Sequence, residues 1–326
     1  MEPQRYLVTG AMGCIGAWVV RNLLQDGHAA IAFDASQDDH RLRLILEKDE
    51  LSRLTFVQGD ITDLALVEKT IKELDVNQII HLAALQVPFC KANPTLGANV
   101  NVTGTVNIFE TARRAGIQRV VYASSIGVFG LNEEYPDGLV TDESKPRPRT
   151  LYGVYKQANE STARVYWWDY QISSTGLRPY VVYGPGRDQG MTSGPTWAML
   201  AAAAGKPFRI SFGGRCGLNY VDDVARTFIR ATQISQEGAR VFNVSGRIAT
   251  MTDILETIFK IVPDAREKIT FTPTHLPLPD GMDDTGLKAS MPGLQDTSLE
   301  AGIRQTILHF RQALQDGRIR ADQIPE

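Results

Sequence analysis

Short apolar runs alternate with longer stretches of helical period through the first half of the chain. Residues 6–9, 30–33, 54–58, 78–82 and 119–123 are apolar runs of strand length, bounded by polar or turn-forming residues. Between them, apolar positions recur at amphipathic-helix spacing over about residues 13–25, 63–74 and 94–115. A polar loop rich in proline and glycine follows, from N-E-E-Y-P-D-G to K-P-R-P-R. A long helix over residues 151–170 and a sixth strand over 174–178 complete the pattern. Strands alternating with helices at this spacing predict an α/β fold, a doubly wound parallel sheet with helices on both faces.

The alternation stops after Tyr183. The loop G-P-G-R-D-Q-G-M-T-S-G-P is dense in turn residues and marks a lobe boundary. Residues 1–183 read as a Rossmann domain and 184–326 as a smaller C-terminal substrate lobe. A helix near 224–234 and a strand at 241–244 suggest that 221–245 returns to the first domain. The apolar segment A-M-L-A-A-A-A reads as a buried helix, and a final helix covers about 299–314.

Composition narrows the classes of function. The 326 residues are 43% hydrophobic and 22% charged, as in ordinary globular proteins. A net charge of −3 gives no reason to expect nucleic acid or an anionic membrane as a partner. Cys14, Cys90 and Cys216 are far apart, and the five histidines are scattered, so neither a disulfide framework nor a metal spacing appears. No apolar stretch reaches membrane-spanning length, and no signal-peptide core follows M-E-P-Q-R. The expectation is a cytoplasmic protein without a structural metal.

T-G-A-M-G-C-I-G, residues 9–16, lies between the first strand and the first helix. Gly10 permits the tight turn, Gly13 lets backbone approach a pyrophosphate, and Gly16 lets the helix pack close to the sheet. Exposed amides at the helix start, including those of Cys14 and Ile15, bind such an anion. Asp34 ends the second strand, where a carboxylate accepts from both ribose hydroxyls and repels a 2′-phosphate. That favours NAD over NADP. Asp60 and Ile61, ending the third strand, are candidate contacts near the adenine.

Y-G-V-Y-K, residues 152–156, holds two tyrosines and a lysine. Positions four apart share a helix face, so Tyr152, not Tyr155, stands with Lys156. A free phenol titrates near about 10 and is a poor base at neutral pH. A nearby ammonium lowers that value.

The ordered set T-G-A-M-G-C-I-G, Asp34, G-D-I, H-L-A-A, N-V-x-G-T, S-S-I-G-V-F-G, Y-x-x-x-K and N-Y-V-D-D-V-A resembles the extended short-chain dehydrogenase/reductases. That group includes the NAD-dependent epimerase/dehydratase family, and the resemblance covers nearly all of residues 5–230. It implies NAD as cofactor and Ser125, Tyr152 and Lys156 as the catalytic set. Tyr152 would be the base, Lys156 would bind the nicotinamide ribose, and Ser125 would hold the substrate oxygen, with Ser124 as runner-up. Leu82, Ala83, Ala84, Ala123 and Tyr180 would flank the cofactor. Gln86, Ile126, Thr192, Ser193 and Asn219 are candidate substrate contacts beside Ser125 and Tyr152. His81 reads as a hydrogen-bonded strand-end histidine. The resemblance also implies a homodimer formed by helices near 94–115 and 151–170.

Dehydratases of this group carry Asp-Glu after the hydroxyl residue, and decarboxylases carry Glu. Here Ile126 and Gly127 follow Ser125, which disfavours elimination and decarboxylation. Oxidation or reduction of a secondary alcohol remains, as does epimerisation through a keto intermediate. Nucleotide-sugar members grip the diphosphate with Asn and Arg where this chain has Val181 and Leu218. Arg187 or Arg215 are the candidate replacements. The reading is a dehydrogenase acting on a sugar, sugar acid or related small polyol. The alternatives are a nucleotide-sugar epimerase and a non-catalytic NAD-binding sensor.

Overall fold

The computed structural model of the chain describes residues 3–136 and 138–325. Asp137 of the expected polar loop, residues 1–2 of the expected first domain and residue 326 of the expected second lie outside the described residues. The first half lays down β1 (Arg5–Thr9), α1 (Cys14–Gln25), β2 (Ala29–Asp34), α2 (His40–Ile45), α3 (Lys48–Ser52), β3 (Thr55–Gln58) and α4 (Leu64–Glu73). It continues with β4 (Gln78–His81), α5 (Val87–Ala92), α6 (Pro94–Ala98), α7 (Gly104–Ala115), β5 (Arg119–Ala123), α8 (Leu151–Tyr170) and β6 (Ser173–Pro179). The second half holds β7 (Val181–Tyr183), α9 (Gly194–Ala204), β8 (Phe208–Ile210), β9 (Arg215–Tyr220), α10 (Val221–Gln233) and β10 (Ala239–Val244). It ends with β11 (Arg247–Thr250), α11 (Met251–Ile261), β12 (Ile269–Phe271), α12 (Thr285–Ser290) and α13 (Leu299–Gln315).

Seven parallel strands form the central Rossmann sheet in the order β10-β6-β5-β4-β1-β2-β3. Its inner strands are buried because helices cover both faces, while β3 at one edge is largely exposed. Leu7 and Ile31 enter one core with Ile71 and Phe109, while Val8 and Ala32 enter the other with Val19 and Phe228. Connectivity reverses between β1 and β4, so the crevice for a ligand opens beyond the carboxyl ends of those strands. β10 pairs with β6 at this sheet's edge, and α10 packs on α1. The chain leaves the sheet at Tyr180. β7 then pairs with β9, and β11 with β9, in a small three-stranded sheet. No described helix is long and apolar enough to cross a membrane.

The helix expected over 94–115 forms, with a π-helical turn inside it. Asn93 caps α6 by accepting from the Leu96 amide at 3.1 Å, and Asn99–Thr103 is a π-helical turn. Within it the Asn101 side chain accepts from the Leu85 amide at 2.7 Å and donates to the Leu85 carbonyl at 2.9 Å. One side chain thus secures the loop after β4, beside the crevice. Such bulges in helices are frequent at functional sites.

Candidate active site

The crevice is a cavity of about 900 Å³ that reaches from the start of α1 to the loops of the second half. Gly10, Gly13, Cys14, Ile15 and Gly16 line one end. Gly16 is required by packing: a Cβ there would lie 2.2 Å from the Gly10 carbonyl oxygen. Gly13 caps α1 without a side chain, so the first-turn amides stay available to an anion. The Asp34 carboxylate is held by the Met12 amide on one oxygen and the Ser36 amide on the other, each at 2.9 Å. Those bonds fix its direction and leave lone pairs for ribose hydroxyls. Asp60 and Ile61 line the same end, with Asp60 Oδ1 accepting from the Thr62 amide and hydroxyl at 2.8 Å.

Leu82, Ala83 and Ala84 form the middle of the wall. Behind them His81 sits in a directed chain of hydrogen bonds. Thr105 Oγ1 donates to the Asn101 carbonyl at 2.7 Å and therefore accepts from His81 Nε2 at 3.0 Å. His81 Nδ1 then accepts from Thr9 Oγ1 at 2.7 Å, and that oxygen receives the Leu82 and Ala83 amides at 3.2 and 3.3 Å. The imidazole is neutral, its pKa pushed down to about 3 by burial and then by the Lys156 charge. Through these bonds His81 fixes the wall from behind.

α8 brings the other chemistry. Thr150 caps it by accepting from the Gly153 amide at 3.1 Å. Gly153 lets the helix approach the turn after Ser125, since a Cβ there would lie 2.0 Å from the Gly127 carbonyl oxygen. Ser125 Oγ accepts from the Gly127 amide at 3.0 Å and hydrogen-bonds the Tyr152 phenol. Lys156 Nζ donates to the Ala123 carbonyl at 2.7 Å and lies 5.7 Å from the centre of the Tyr152 ring. Ala123, Ser125, Gly127, Tyr152 and Lys156 all line the cavity.

The electrostatics depart from the simple expectation. Burial raises the Tyr152 phenol above its ordinary value, opposed by the Ser125 hydrogen bond and the Arg187 charge. The Lys156 ammonium is directed at the Ala123 carbonyl, and the charges that act on the phenol are those of Arg187 and Cys90. The lysine itself is lowered to about 8 by burial. Ser124 also lines the cavity, but its hydroxyl is engaged elsewhere. It donates to Glu160 at 2.5 Å, and Glu160 forms a buried bidentate pair with Arg178 at 2.7 Å on each oxygen.

Gln86, Ile126, Thr192 and Tyr180 line the far end. Two expected substrate contacts do not. Ser193 Oγ donates to the Gly190 carbonyl at 3.0 Å and faces the loop. Asn219 accepts from the Tyr180 amide at 2.7 Å and donates to the Val244 carbonyl at 3.1 Å, so it stitches three strands and lies outside the lining. Val181 and Leu218 are register partners in the small sheet and are buried in its core, again outside the lining.

His40, Arg41 and Asp188, which the motifs did not single out, complete the wall. The Arg41 side chain is mostly buried. Its Nε contacts both Asp188 oxygens at 3.0 and 3.1 Å, and Nη1 donates to the Met12 carbonyl at 2.8 Å. Asp188 also meets His40 Nε2 at 2.7 Å. Arg187, beside it, reaches the cavity. The turn-rich G-P-G-R-D-Q-G segment was the available signal, but a contact across 147 residues has no local signature.

A doubly wound parallel sheet whose crevice joins a bare helix start to a Ser–Tyr–Lys set defines a short-chain dehydrogenase/reductase. The model of the NAD dependent epimerase/dehydratase family matches residues 6–245, and the chain belongs to that family. It is 33% identical to UDP-glucose 4-epimerase of Mycolicibacterium smegmatis over 315 residues, covering 94% of this chain and 98% of that protein. UDP-glucose 4-epimerase of Thermus thermophilus, solved in complex with NAD, superposes with a TM-score of 0.80 at 27% identity, over 95% of this chain and all of that one. L-threonine dehydrogenase of Clostridium difficile shares the fold, with a TM-score of 0.83 at 20% identity, over 96% of this chain and 99% of that one. The protein is an NAD-dependent enzyme. The bare start of α1, the close pass at Gly16 and the Asp34 carboxylate all fit that dinucleotide.

Proposed function

We propose that the enzyme oxidises a secondary alcohol of a small sugar, sugar acid or related polyol, or reduces the corresponding ketone, with Tyr152 as the proton-transfer residue. The observation that carries the reading is the pairing of Tyr152 with Ser125 at the cavity wall, on a helix whose Lys156 is held by Ala123. In this reading the amides of Gly13, Cys14, Ile15 and Gly16 hold the pyrophosphate, and Asp34 holds a ribose. Gly10, Leu82, Ala83, Ala84, Ala123 and Tyr180 shape the cofactor's bed, with Asp60 and Ile61 toward the adenine. When bound, NAD supplies the hydride acceptor. Ser125 holds the substrate oxygen, and Tyr152 takes its proton. Ile126 and Gly127 offer no further acid or base, so the substrate's carbon skeleton is left intact.

The charges along the wall favour a substrate without a nucleotide diphosphate. Arg41 is paired with Asp188, Arg149 with Glu134, and Lys156 with a carbonyl. Arg187 is the lining guanidinium without a carboxylate partner among the described residues. Burying two diphosphate charges against one cation is costly. A second reading, epimerisation of a nucleotide sugar through a keto intermediate, is supported by the Mycolicibacterium relative. Both readings use Tyr152.

The proposal includes a homodimer through α7 and α8. Val154, Val165 and Trp168 share one face of α8 and are exposed, Trp168 by 67%. Contiguous exposed apolar side chains of this kind mark an interface.

Tyr152→Phe tests the chemistry. Turnover should fall by about 10²–10⁴-fold, the range for losing an acid–base residue. NAD affinity, read by fluorescence titration, should change little. Near-normal turnover in the variant would refute the assignment.

A further inference from the structure

We infer that Arg187, with Gln86 and Thr192, forms a subsite for a carboxylate group of the substrate. The inference rests on the proposed alcohol chemistry at Tyr152 and narrows its substrate to a hydroxy acid.

The backbone on either side of Arg187 is tied down. The Pro185 carbonyl accepts from Trp18 Nε1 at 2.9 Å, and the Asp188 carbonyl accepts from Trp197 Nε1 at 3.2 Å. The Asp188 side chain is gripped by Arg41 and His40. The Arg187 amide donates to the Gly184 carbonyl at 3.1 Å. A guanidinium carried on such a strap reaches into the chamber where Tyr152 sits, and its charge pulls the phenol's pKa down.

The guanidinium is incompletely satisfied. Of its five N–H donors, one on Nη2 meets Thr192 Oγ1 at 3.0 Å. Nε is buried and has no hydrogen-bond partner. No carboxylate pairs with Arg187 among the described residues. A guanidinium at the cavity wall with donors left unmet can take a further partner from a bound ligand. The planar fork suits a carboxylate, which accepts two parallel hydrogen bonds. Gly190 keeps the space beside it open: a Cβ there would lie 3.3 Å from Arg187 Nη2 and 2.2 Å from Gln86 Oε1. Gln86 therefore stands just across that gap. Its amide can donate to the same carboxylate or hold a neighbouring hydroxyl. The rival occupant is the cofactor's own pyrophosphate, because the Arg187 charge is also felt at Cys14 in the phosphate loop.

Titration calorimetry on the NADH-loaded protein separates these occupants without needing turnover. The probes are aldonic and uronic acids, each matched with its neutral sugar or alditol. At least one acid should bind about 10–100-fold more tightly than its neutral partner, the size of a charge-assisted hydrogen-bond pair. Arg187→Gln should erase that preference while leaving NADH affinity and the binding of neutral probes within about twofold. Arg187→Lys, which keeps the charge without the fork and serves if the glutamine variant fails to fold, should retain part of it. The inference fails if no acid outbinds its neutral partner. It fails if both classes weaken alike, or if NADH is what weakens. Tight acid binding with no oxidation of any bound acid would remove the alcohol chemistry and keep the subsite. Turnover confined to neutral polyols would do the reverse.

Discussion

At the scale of single residues, His81 ties a pH response to a hydrogen-bond chain. Its imidazole is neutral in the fold, with a pKa pushed from 6.5 to about 3. The unfolded chain takes up that proton near pH 6.5, and the folded chain does not until much lower. Protons therefore favour unfolding across the interval, and stability declines as pH falls from about 6.5 toward 3. His81→Gln keeps polar groups at both ends without the titration. Urea midpoints between pH 7 and 4 should fall less steeply for the variant than for the parent chain. Parallel curves would remove His81 from the account. Tyr152 is the counterpart: burial shifts it upward rather than downward, and a hydroxyl partner and a cationic neighbour oppose the shift.

At the scale of elements, α1 and α8 deliver the chemistry, and close approach is how they do it. Gly16→Ala would put a methyl group 2.2 Å from the Gly10 carbonyl, so α1 must move off the phosphate loop. We expect a stability loss of about 1–3 kcal/mol, typical of overpacking, seen in chemical denaturation. NAD affinity should fall by about tenfold or more, equivalent to about 1.4 kcal/mol. Unchanged binding would mean that the loop does not hold the cofactor. The long elements were legible because their patterns are long: α8 spans the residues its periodicity predicts, and the first six strands lie within a residue or two of the expected positions. The short helices α2, α3 and α5 were not, since five or six residues carry too little periodicity. Side-chain direction was also illegible. Thr192 and Ser193 are adjacent, yet one faces the cavity and the other its own loop. Asn219 follows a motif strand but has its amide occupied by two backbones.

At the scale of the whole molecule, the loop around residues 184–192 joins the two ends of the site. Arg41 links Asp188 to the Met12 carbonyl, so the strap that carries Arg187 is fastened to the phosphate loop. Cofactor bed and substrate wall are thus one mechanical unit. The chain folds the dinucleotide end early in its sequence and completes the substrate end from segments far along it, as in doubly wound enzymes generally. This also explains why the family relationship reads so clearly while the substrate does not. The motifs that define the family line the proposed cofactor bed and carry the Ser–Tyr–Lys set, whereas Gln86, Arg187 and Thr192, proposed here to face the substrate, lie outside those motifs.

The most direct test of the account follows NADH and product together, using purified enzyme, NAD and a panel of sugar acids, free sugars and UDP-sugars. The account predicts net NADH formed in step with a ketone or lactone product from a small unphosphorylated substrate, and no change in the UDP-sugars. An isomerised UDP-sugar without net NADH would contradict it. That outcome would establish the epimerase reading and show that Arg187 does not limit the site to a single negative charge.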